Sequence, residues 1–301
     1  MYLSNFGAEK QSPKSVMKSL ATLFLAFVFS LNIFADTVSE KEKNALLKLY
    51  HATNGSQWKV KWDLSLSVSA WYGVHTEKGK VTAVYLSDNN LQGELPAEFF
   101  DLANLSVIDL HKNKLTGMLP QSIGNLKKLE VLNVSHNQLS GTIPETICDL
   151  KNLRDLELFK NNFSGTIPSE IGKLNQLQIL CLFDNTLAGT IPDSLYKLSS
   201  LEILLLNNNQ FSGNISPEIL NFKALQNLSF FNNNFEGEIP KELEELENLS
   251  EMNLSYNKFK GSVSKNLIVL DAMNMTMFDE NGKPYLLDAA KEKKSENSIL
   301  N

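Results

Sequence analysis

The chain has 301 residues, of which 43% are hydrophobic and 21% charged, and its formal net charge is −6. The first 35 residues contain three lysines and one glutamate, so the remainder carries a charge of −8. Such an acidic chain without a basic stripe is a poor candidate for binding nucleic acid or an anionic membrane surface.

Residues 1–35 have the pattern of a secretory signal peptide. Lysines precede an apolar run at residues 20–34, and Ala35 stands before the polar Asp36. The alternative is an uncleaved membrane anchor, but this run is shorter than the roughly 20 residues that a spanning helix needs. We therefore expect a mature protein that begins near Asp36, has no stable membrane insertion, and is secreted, periplasmic or displayed at the cell surface.

Residues 36–80 are predicted to be an N-terminal cap. A helix is expected over Glu40–Ala52, because its apolar residues fall on one face at helical spacing. All three tryptophans of the chain, Trp58, Trp62 and Trp71, follow this helix. They could form an exposed stacking platform for sugars, but large aromatic side chains also suit the open apolar end of a repeat structure, which must be covered. We favour the capping role.

From Val81 the chain repeats one 24-residue pattern eight times, over residues 81–272, without insertion or deletion. Each repeat opens with the line LxxLxLxxNxLxGxIP, and we number its positions as steps, starting at 0. Step 12 is always glycine, and step 15 is proline in six of the eight repeats. Step 8 is always asparagine, which we call the asparagine ladder: Asn89, Asn113, Asn137, Asn161, Asn185, Asn209, Asn233 and Asn257.

The residue type that recurs at each step, here called a column, has a physical explanation, and together the columns predict a solenoid. The apolar residues at steps 0, 3, 5, 10, 14, 18 and 21 can all point inward, but one repeat cannot bury them alone, so neighbouring repeats must stack. Steps 3 and 5 alternate as in a strand with one buried face, and strands related by translation pair in parallel. A buried asparagine can bond to backbone groups freed where the chain leaves each strand. The glycine suits a positive φ or a close approach by the next coil.

Residues 273–290 are predicted to be a degenerate ninth repeat that serves as the C-terminal cap. Met273 and Phe278 fall where a ninth repeat would place its leucines, and Asn281 falls in the asparagine column. Residues 291–301 are mostly polar or charged, so we expect them to form a disordered, solvated tail.

The repeat resembles the plant-type leucine-rich repeat, with its LxGxIP signature, found in receptor ectodomains, polygalacturonase inhibitors and secreted bacterial proteins. Residues 44–62 and 71–74, NALLKLYHATNGSQWKVKW and WYGV, resemble the cap of bacterial and protist surface proteins with such repeats. Plant ectodomains usually carry a cysteine pair in that cap, and this cap has none. The resemblance implies an α/β solenoid: a right-handed superhelix with a parallel concave sheet, eight full repeats, a helical N-terminal cap and a degenerate C-terminal cap.

On such a solenoid, steps 2, 4, 6 and 7 face the concave side, and their character changes along the chain. The early strands are polar or charged there, whereas the middle strands carry large apolar residues that the repeat does not require. Exposed apolar clusters tend to mark interaction sites. The alternative is that the patch covers itself or faces a second copy. The predicted ligand-binding residues are Phe159, Phe183, Phe231, Ile179, Cys181, Ile203, Leu205, Asp109, His111 and His136.

Pairs of polar residues on the strands do not predict catalysis. Asp109 and His111 share a strand face, as an acid–base pair would, but no nucleophile stands out beside them. Asp155 and Glu157 more often form a solvated face than a glycosidase pair, because an open sheet offers no deep pocket to raise one pKa. We predict neither an enzyme nor a cofactor.

The two cysteines are predicted to be free thiols. The repeat register places Cys148 on the convex segment and Cys181 on the concave face of a strand. A disulfide needs α-carbons within about 7 Å of each other, which these positions do not allow. No histidine shares their columns in adjacent repeats, so no metal site is expected.

The resemblance implies a monomeric, non-enzymatic recognition module that binds a protein, peptide or glycan on its concave face. One alternative is a secreted inhibitor of a hydrolase, like the polygalacturonase inhibitors, which would show a stoichiometric loss of hydrolase activity on titration. Another is the ligand-binding component of a receptor whose signalling part is a separate chain.

Overall fold

The structure is a computed structural model that describes residues 37–261, 267, 276–278 and 284–286. Contacts divide the chain into two units, Met1–Thr37 and Val38–Asn301, and the elements described below belong to the second. The predicted signal peptide and the predicted tail lie outside the described residues.

The N-terminal cap opens with helix α1, Glu40–Ala52, which confirms the predicted helix. Ser39 caps it: its hydroxyl accepts a hydrogen bond from the backbone amide of Glu42 at 3.3 Å. The apolar face of the helix is buried, and Leu46 and Leu49 are both 0% exposed. Burial of this face, rather than helix propensity alone, therefore holds the helix against the first repeat.

The three tryptophans fill the space behind α1 and are buried. Trp62 stacks on Trp71 with ring centroids 4.7 Å apart, and Trp58 meets Trp62 edge-on at 4.9 Å. Each indole N–H donates to a backbone carbonyl oxygen, at 2.9, 2.8 and 3.0 Å for Trp58, Trp62 and Trp71. The idea of an exposed sugar platform is therefore wrong for these side chains, and their burial is what the capping interpretation expects.

A nine-stranded sheet, here called the main sheet, takes one strand from every repeat. The first two strands pair in antiparallel fashion, and each later pair is parallel with a 24-residue register, as where Leu132 lies beside Leu156. The predicted parallel stacking is therefore confirmed. In spatial order the strands are β1 (Val74–Glu77), β2 (Lys80–Tyr85), β4 (Val107–Asp109), β6 (Val131–Asn133), β8 (Asp155–Glu157), β10 (Ile179–Cys181), β12 (Ile203–Leu205), β14 (Asn227–Ser229) and β16 (Glu251–Asn253).

A second series of short strands, here called the side sheet, forms around the glycine column. It begins with a separate two-stranded pair, β3 (Gln92–Glu94) and β5 (Lys114–Thr116). The eight-stranded part contains β7 (Ser140–Thr142), β9 (Asn162–Gly165), β11 (Thr186–Gly189), β13 (Gln210–Gly213), β15 (Asn234–Glu238) and β17 (Lys258–Lys260), followed by β18 (Thr276–Phe278) and β19 (Pro284–Leu286).

Short 3-10 helices complete the described elements. Two lie in the cap, at Gly55–Gln57 and Val68–Ala70. The others lead back toward the next main-sheet strand, at Ala97–Asp101, Gln121–Asn125, Glu145–Asp149, Ile171–Lys173, Leu195–Lys197, Pro217–Asn221 and Lys241–Glu245.

The C-terminal segment departs from the predicted ninth repeat. In that register, residues 275–277 would extend the main sheet beside β16. Instead, β18 pairs in parallel with β17 of the side sheet, and β19 pairs with β18 in antiparallel fashion. Met273 and Asn281 lie outside the described residues. The described part of this segment is thus a hairpin on the side sheet rather than a strand of the main sheet.

The core consists of stacked columns of apolar side chains. Phe163, Phe211, Phe235 and Phe259 share step 10 and are each 0% exposed. Along this column the rings stack at 6.3 Å from Phe211 to Phe235 and again from Phe235 to Phe259. The prediction that apolar columns point inward is confirmed, because burial occurs between repeats and not within one.

The asparagine ladder joins each repeat to the one before it. Asn161 Nδ2 donates to the carbonyl oxygen of Val134 in the preceding repeat at 3.0 Å and to that of Leu158 in its own repeat at 3.1 Å. Its Oδ1 accepts from the backbone amide of Leu139 at 3.0 Å. Six of the eight ladder residues are buried and two are half-buried. The predicted role of these side chains is confirmed, since they satisfy backbone groups that would otherwise be buried without partners.

Two columns of the repeat adopt a positive φ. The step-12 glycines do so, as predicted, with φ 78° at Gly165. At step 7, directly before each ladder asparagine, other residues do the same, with φ 52° at Lys160 and φ 58° at Tyr256. The sequence pattern does not reveal this second column, because aspartate and asparagine, which tolerate it best, occupy only half of it.

Candidate ligand-binding surface

Steps 2, 4 and 6 of each repeat build the outward face of the main sheet, the face predicted to be concave. Side chains along a strand alternate between its two faces, so these steps point away from the core. In the fourth repeat, Asp155, Glu157 and Phe159 are half-buried, whereas Leu156 and Leu158 between them are buried. We call this surface the outward face.

An aromatic pair stands at the centre of the outward face. The rings of Phe159 and Phe183 stack with centroids 4.2 Å apart and an angle of 13° between their planes. The ring of His136 meets Phe159 edge-on at 5.2 Å. All three side chains are half-buried, so the expectation that the two phenylalanines stand exposed in the free protein is wrong. Because each ring covers one face of its neighbour, the pair forms a single stacked platform.

Apolar residues on the adjoining strands extend this platform. Ile179 lies beside Ile203, and Cys181 lies beside Leu205, in the parallel register of β10 and β12. Three of the four are half-buried, but Cys181 is only 6% exposed, so its predicted place on the binding face is corrected to a buried one. Its neighbours are larger than it is, which leaves the thiol recessed between them.

Both cysteines are free, as predicted. Burial raises the pKa of the Cys181 thiol to about 12, and nearby carboxylates, first that of Glu157, act in the same direction. Burial likewise raises the pKa of the Cys148 thiol to about 12. Neither sulfur is a thiolate near neutral pH, so neither is a candidate nucleophile.

Phe231 lies apart from the aromatic pair. Asn207 occupies the position between Phe183 and Phe231 at step 6, and the Phe231 ring instead meets Tyr256 edge-on at 5.1 Å. At step 6 the predicted continuous apolar patch is therefore divided, because the Asn207 amide separates its two aromatic groups.

Two acidic side chains lie on the strand that carries Phe159. Asp155 Oδ1 is buried and has no hydrogen-bond partner, while Glu157 accepts a hydrogen bond from Asn133 Nδ2 at 3.0 Å. Burial, and secondarily the Glu157 carboxylate, raise the pKa of Asp155 to about 7. Burial also raises the pKa of Glu157. The expectation that this pair is an ordinary solvated face is therefore wrong: apolar neighbours on an open sheet desolvate the carboxylates without a pocket.

The predicted pair of Asp109 and His111 is formed. Asp109 Oδ1 lies 2.7 Å from His111 Nδ1 and also accepts a hydrogen bond from the His111 backbone amide at 3.2 Å. His136, on the next repeat, has a lowered pKa, first because of burial and then because of the positive charges of Lys160 and Lys112. These residues bring polar and ionisable groups to the edge of the aromatic platform.

The three strand columns of the outward face carry acidic residues but no lysine or arginine, whereas step 7, at their border, adds Lys112 and Lys160. Over the strands β2 to β16, steps 2, 4 and 6 contain no lysine or arginine. They contain four acidic residues, Asp109, Asp155, Glu157 and Glu251.

Other features lie away from this platform. An open cavity of about 580 Å³ occupies the edge where the chain enters the first strands, and its lining mixes lysines and glutamates, including Lys80 and Glu130. Within the described residues, no group of three histidine, cysteine or acidic side chains is placed to hold a metal ion. The same part of the chain contains no helix long and apolar enough to cross a membrane.

Two family models match the repeats of this chain. The leucine rich repeat model matches residues 79–139 and 104–163, and the leucine-rich repeat region model matches residues 144–274. The solenoid belongs to the leucine-rich repeat family. The leucine-rich repeat solenoid with parallel strands, which the sequence resemblance implied, is thereby confirmed.

Among known proteins, plant leucine-rich repeat proteins resemble this chain. Polygalacturonase inhibitor 1 of Arabidopsis thaliana is 33% identical over 99 residues, which are 31% of this chain and 30% of the inhibitor. The PEPR1–AtPEP1 structure superposes with a TM-score of 0.72 at 30% identity, over 80% of this chain and 36% of that one. The plant peptide hormone receptor RGFR1 in complex with RGF2 gives a TM-score of 0.60 at 32% identity, over 65% of this chain and 31% of that one.

A plant ice-binding protein is similar over most of both chains. Its TM-score is 0.66 at 26% identity, over 80% of this chain and 86% of that one. By contrast, this chain spans only about a third of the inhibitor and of the PEPR1 chain. The family resemblance therefore concerns the repeat domain.

Sequence reasoning missed the burial of Asp155. The signal was present, because the 24-residue register places Val131 and Ile179 on either side of Asp155 in the step-2 column. Reading the columns across repeats, rather than along one strand, would have shown a carboxylate between two apolar side chains.

Proposed function

We propose that this leucine-rich repeat domain is a non-enzymatic recognition module whose outward face binds an extended peptide or a protein segment. The observation that carries the proposal is the stacked pair of Phe159 and Phe183, half-buried on the outward side of a sheet whose fold does not require them. Preformed aromatic side chains dominate the energetics of many interfaces, because little conformational entropy is lost when they are covered.

The similar proteins support this class of function. The RGFR1 structure is that of a peptide hormone receptor with RGF2 bound, and the polygalacturonase inhibitor is named for its action on an enzyme. On the main sheet, outward side chains repeat at about 4.8 Å between strands and at about 6.6 Å along each strand. An extended chain can lay its own side chains along such a grid. Inhibition of a hydrolase is one form that protein recognition by this face would take.

We also propose that the domain acts outside the cytoplasm as a monomer. The signal-like residues 1–35 support export, and the proposal predicts a mature N-terminus at or near Asp36 on N-terminal sequencing. An intact leader in the membrane fraction would contradict it.

The binding proposal is tested with a random peptide library displayed on phage and selected against the full chain. Affinities of the selected peptides are then measured for the wild type, for the Phe159→Ser/Phe183→Ser variant and for Met118→Ser. Met118 is 65% exposed but lies beside the side sheet, so it is a matched control. We expect a loss of about 1–3 kcal/mol for each important anchor in the double variant and none in the control. Equal affinities for all three proteins would contradict the proposal.

Ice binding is a second candidate, favoured by the side sheet. Thr142, Thr166 and Thr190 form an exposed column at step 13, one per repeat, next to the small residues of the glycine column. Successive strands place these hydroxyl and methyl groups at a regular spacing of about 4.8 Å. The similarity to a plant ice-binding protein over most of both chains suggests ice as the ligand of this regular column.

Inhibition of ice recrystallisation separates the two candidates. If the threonine column binds ice, Thr166→Lys abolishes the inhibition, whereas Phe159→Ser and the exposed exchange Gln210→Lys preserve it. If the wild-type chain leaves ice grain size unchanged, this second candidate is excluded.

A further inference from the structure

We propose that the ligand of the outward face carries a cationic side chain, arginine or lysine, which lies against the Phe159–Phe183 pair and is held by the carboxylates of Asp155 and Glu157. This inference rests on the proposed function, since it names the chemistry of a peptide bound to the same surface. Three observations support it: the poorly satisfied carboxylates, the stacked aromatic pair and the absence of lysine and arginine from steps 2, 4 and 6 of the face.

The carboxylates are poorly satisfied in the free protein. One oxygen of Asp155 is buried without a hydrogen-bond donor, and the visible donor to Glu157 is the neutral amide of Asn133. A charged donor arriving from a ligand would replace little water and would gain the strength of a charge-assisted hydrogen bond. An anionic ligand, in contrast, would meet two desolvated charges of its own sign.

The aromatic pair lies within reach of the same cation. Asp155, Glu157 and Phe159 occupy alternate positions of one strand, so neighbouring members of this series are about 6.6 Å apart along it. An arginine or lysine whose charged group lies at Glu157 can therefore pack its methylene groups against the pair, while Phe183 covers one face of the Phe159 ring. The stacked arrangement keeps the rings in place for this contact.

The three outward columns contain no lysine or arginine, and their one histidine, His111, is paired with Asp109. Lys112 and Lys160 stand at step 7, at the border of the face, and both are exposed. Solvent screens these exposed charges more strongly than it screens the half-buried acids, so the lysines weaken the attraction of a cation rather than cancel it. Charge complementarity thus selects a basic partner segment over an acidic one.

The experiment uses the displayed random peptide library against the full chain. We expect the selected peptides that need Phe159 to be enriched in arginine and lysine. Replacing those residues by citrulline, which keeps the shape of arginine without its charge, is expected to lower affinity about 10-fold or more. The double variant Asp155→Asn/Glu157→Gln should show a similar loss, whereas Glu130→Gln, an exposed acid outside the three outward columns, should leave affinity unchanged.

The possible outcomes distinguish the proposed function, peptide binding by the outward face, from the further inference, recognition of a cationic side chain. Basic enrichment that disappears against the carboxamide variant supports the inference. Peptides without basic residues that still depend on Phe159 and Phe183 overturn the inference and leave the proposed function standing. A selection in which no peptide depends on either phenylalanine overturns both.

Discussion

Phe159 and Phe183 are 24 residues apart in the sequence, and their rings lie parallel with centroids 4.2 Å apart. The distance is shorter than the roughly 4.8 Å between neighbouring strands, so the two side chains lean together. Their contact ties the fourth repeat to the fifth on the outer side of the sheet, where the fold itself places no constraint on residue type. A substitution of Phe159 or Phe183 should therefore change both ligand binding and the free energy of unfolding.

This coupling gives the first prediction. The Phe159→Ser/Phe183→Ser variant should lower the free energy of unfolding by about 1–3 kcal/mol, because half-buried area and the ring contact are lost. Phe163→Ala should cost more, roughly 3–5 kcal/mol, since that side chain is 0% exposed in the core. Urea denaturation of the two variants and the wild type checks both values. Equal costs would contradict the assignment of outward and inward columns.

The asparagine ladder gives the second prediction. Asn161→Ala should cost about 1–3 kcal/mol, because it leaves backbone groups of two repeats without their buried partner. Lys160→Ala should cost less than about 0.5 kcal/mol, because the side chain is exposed and the positive φ strains both residue types alike. Denaturation midpoints that coincide for the two variants would rule out the ladder as a source of stability.

The third prediction concerns pH. Folding raises the pKa of Asp155 from its ordinary value of 3.8 to about 7, so between these values the folded protein holds a proton that the unfolded chain has released. The stability from this group is fully present below about pH 4 and is lost as pH rises through about 7. Asp155→Asn removes the penalty for the charged form. The variant should exceed the wild type by about 1–2 kcal/mol at pH 8 and match it near pH 4.

The control for this titration is Glu130→Gln, because Glu130 is exposed at the edge of the main sheet. Its difference from the wild type should stay within about 0.5 kcal/mol at both pH values. A gain for Asp155→Asn that is the same at pH 4 and pH 8 would show that the cause is packing rather than charge.

The fourth prediction concerns the thiols. Cys148 and Cys181 are buried, and the pKa of each is raised to about 12, so neither should react with a thiol reagent in the native protein at pH 8. Both should react within the dead time of mixing once the chain is unfolded in guanidinium. Fast labelling of native Cys181 would mean that the outward face opens more readily than the structure indicates, and the Cys181→Ser variant would identify which thiol had reacted.

Much of the fold was predictable because the 24-residue period places equivalent residues in equivalent positions of successive repeats. Burial of the asparagine ladder, positive φ at Gly165 and parallel pairing of Leu132 with Leu156 all follow from one repeat and its translation. The cap helix was predictable for a local reason, the spacing of its apolar residues.

The candidate site was only partly predictable, because its properties depend on two or three repeats at once. The recess around Cys181 reflects the size of its strand neighbours, and the desolvation of Asp155 reflects Val131 and Ile179 on either side. The position of β18 beside β17 was not predictable from the period, because the period ends there.

Because the register between repeats never changes, every 24 residues of sequence advance the chain by one strand of the main sheet. Excising residues 201–224 would rejoin the fifth repeat to the seventh in the same register and would remove Asn207 from the step-6 column. Phe231 would then follow Phe183 directly, closing the gap and extending two stacked rings to three. The spacing of recognition elements on this surface can therefore be edited by whole repeats, independently of the identity of any contact residue.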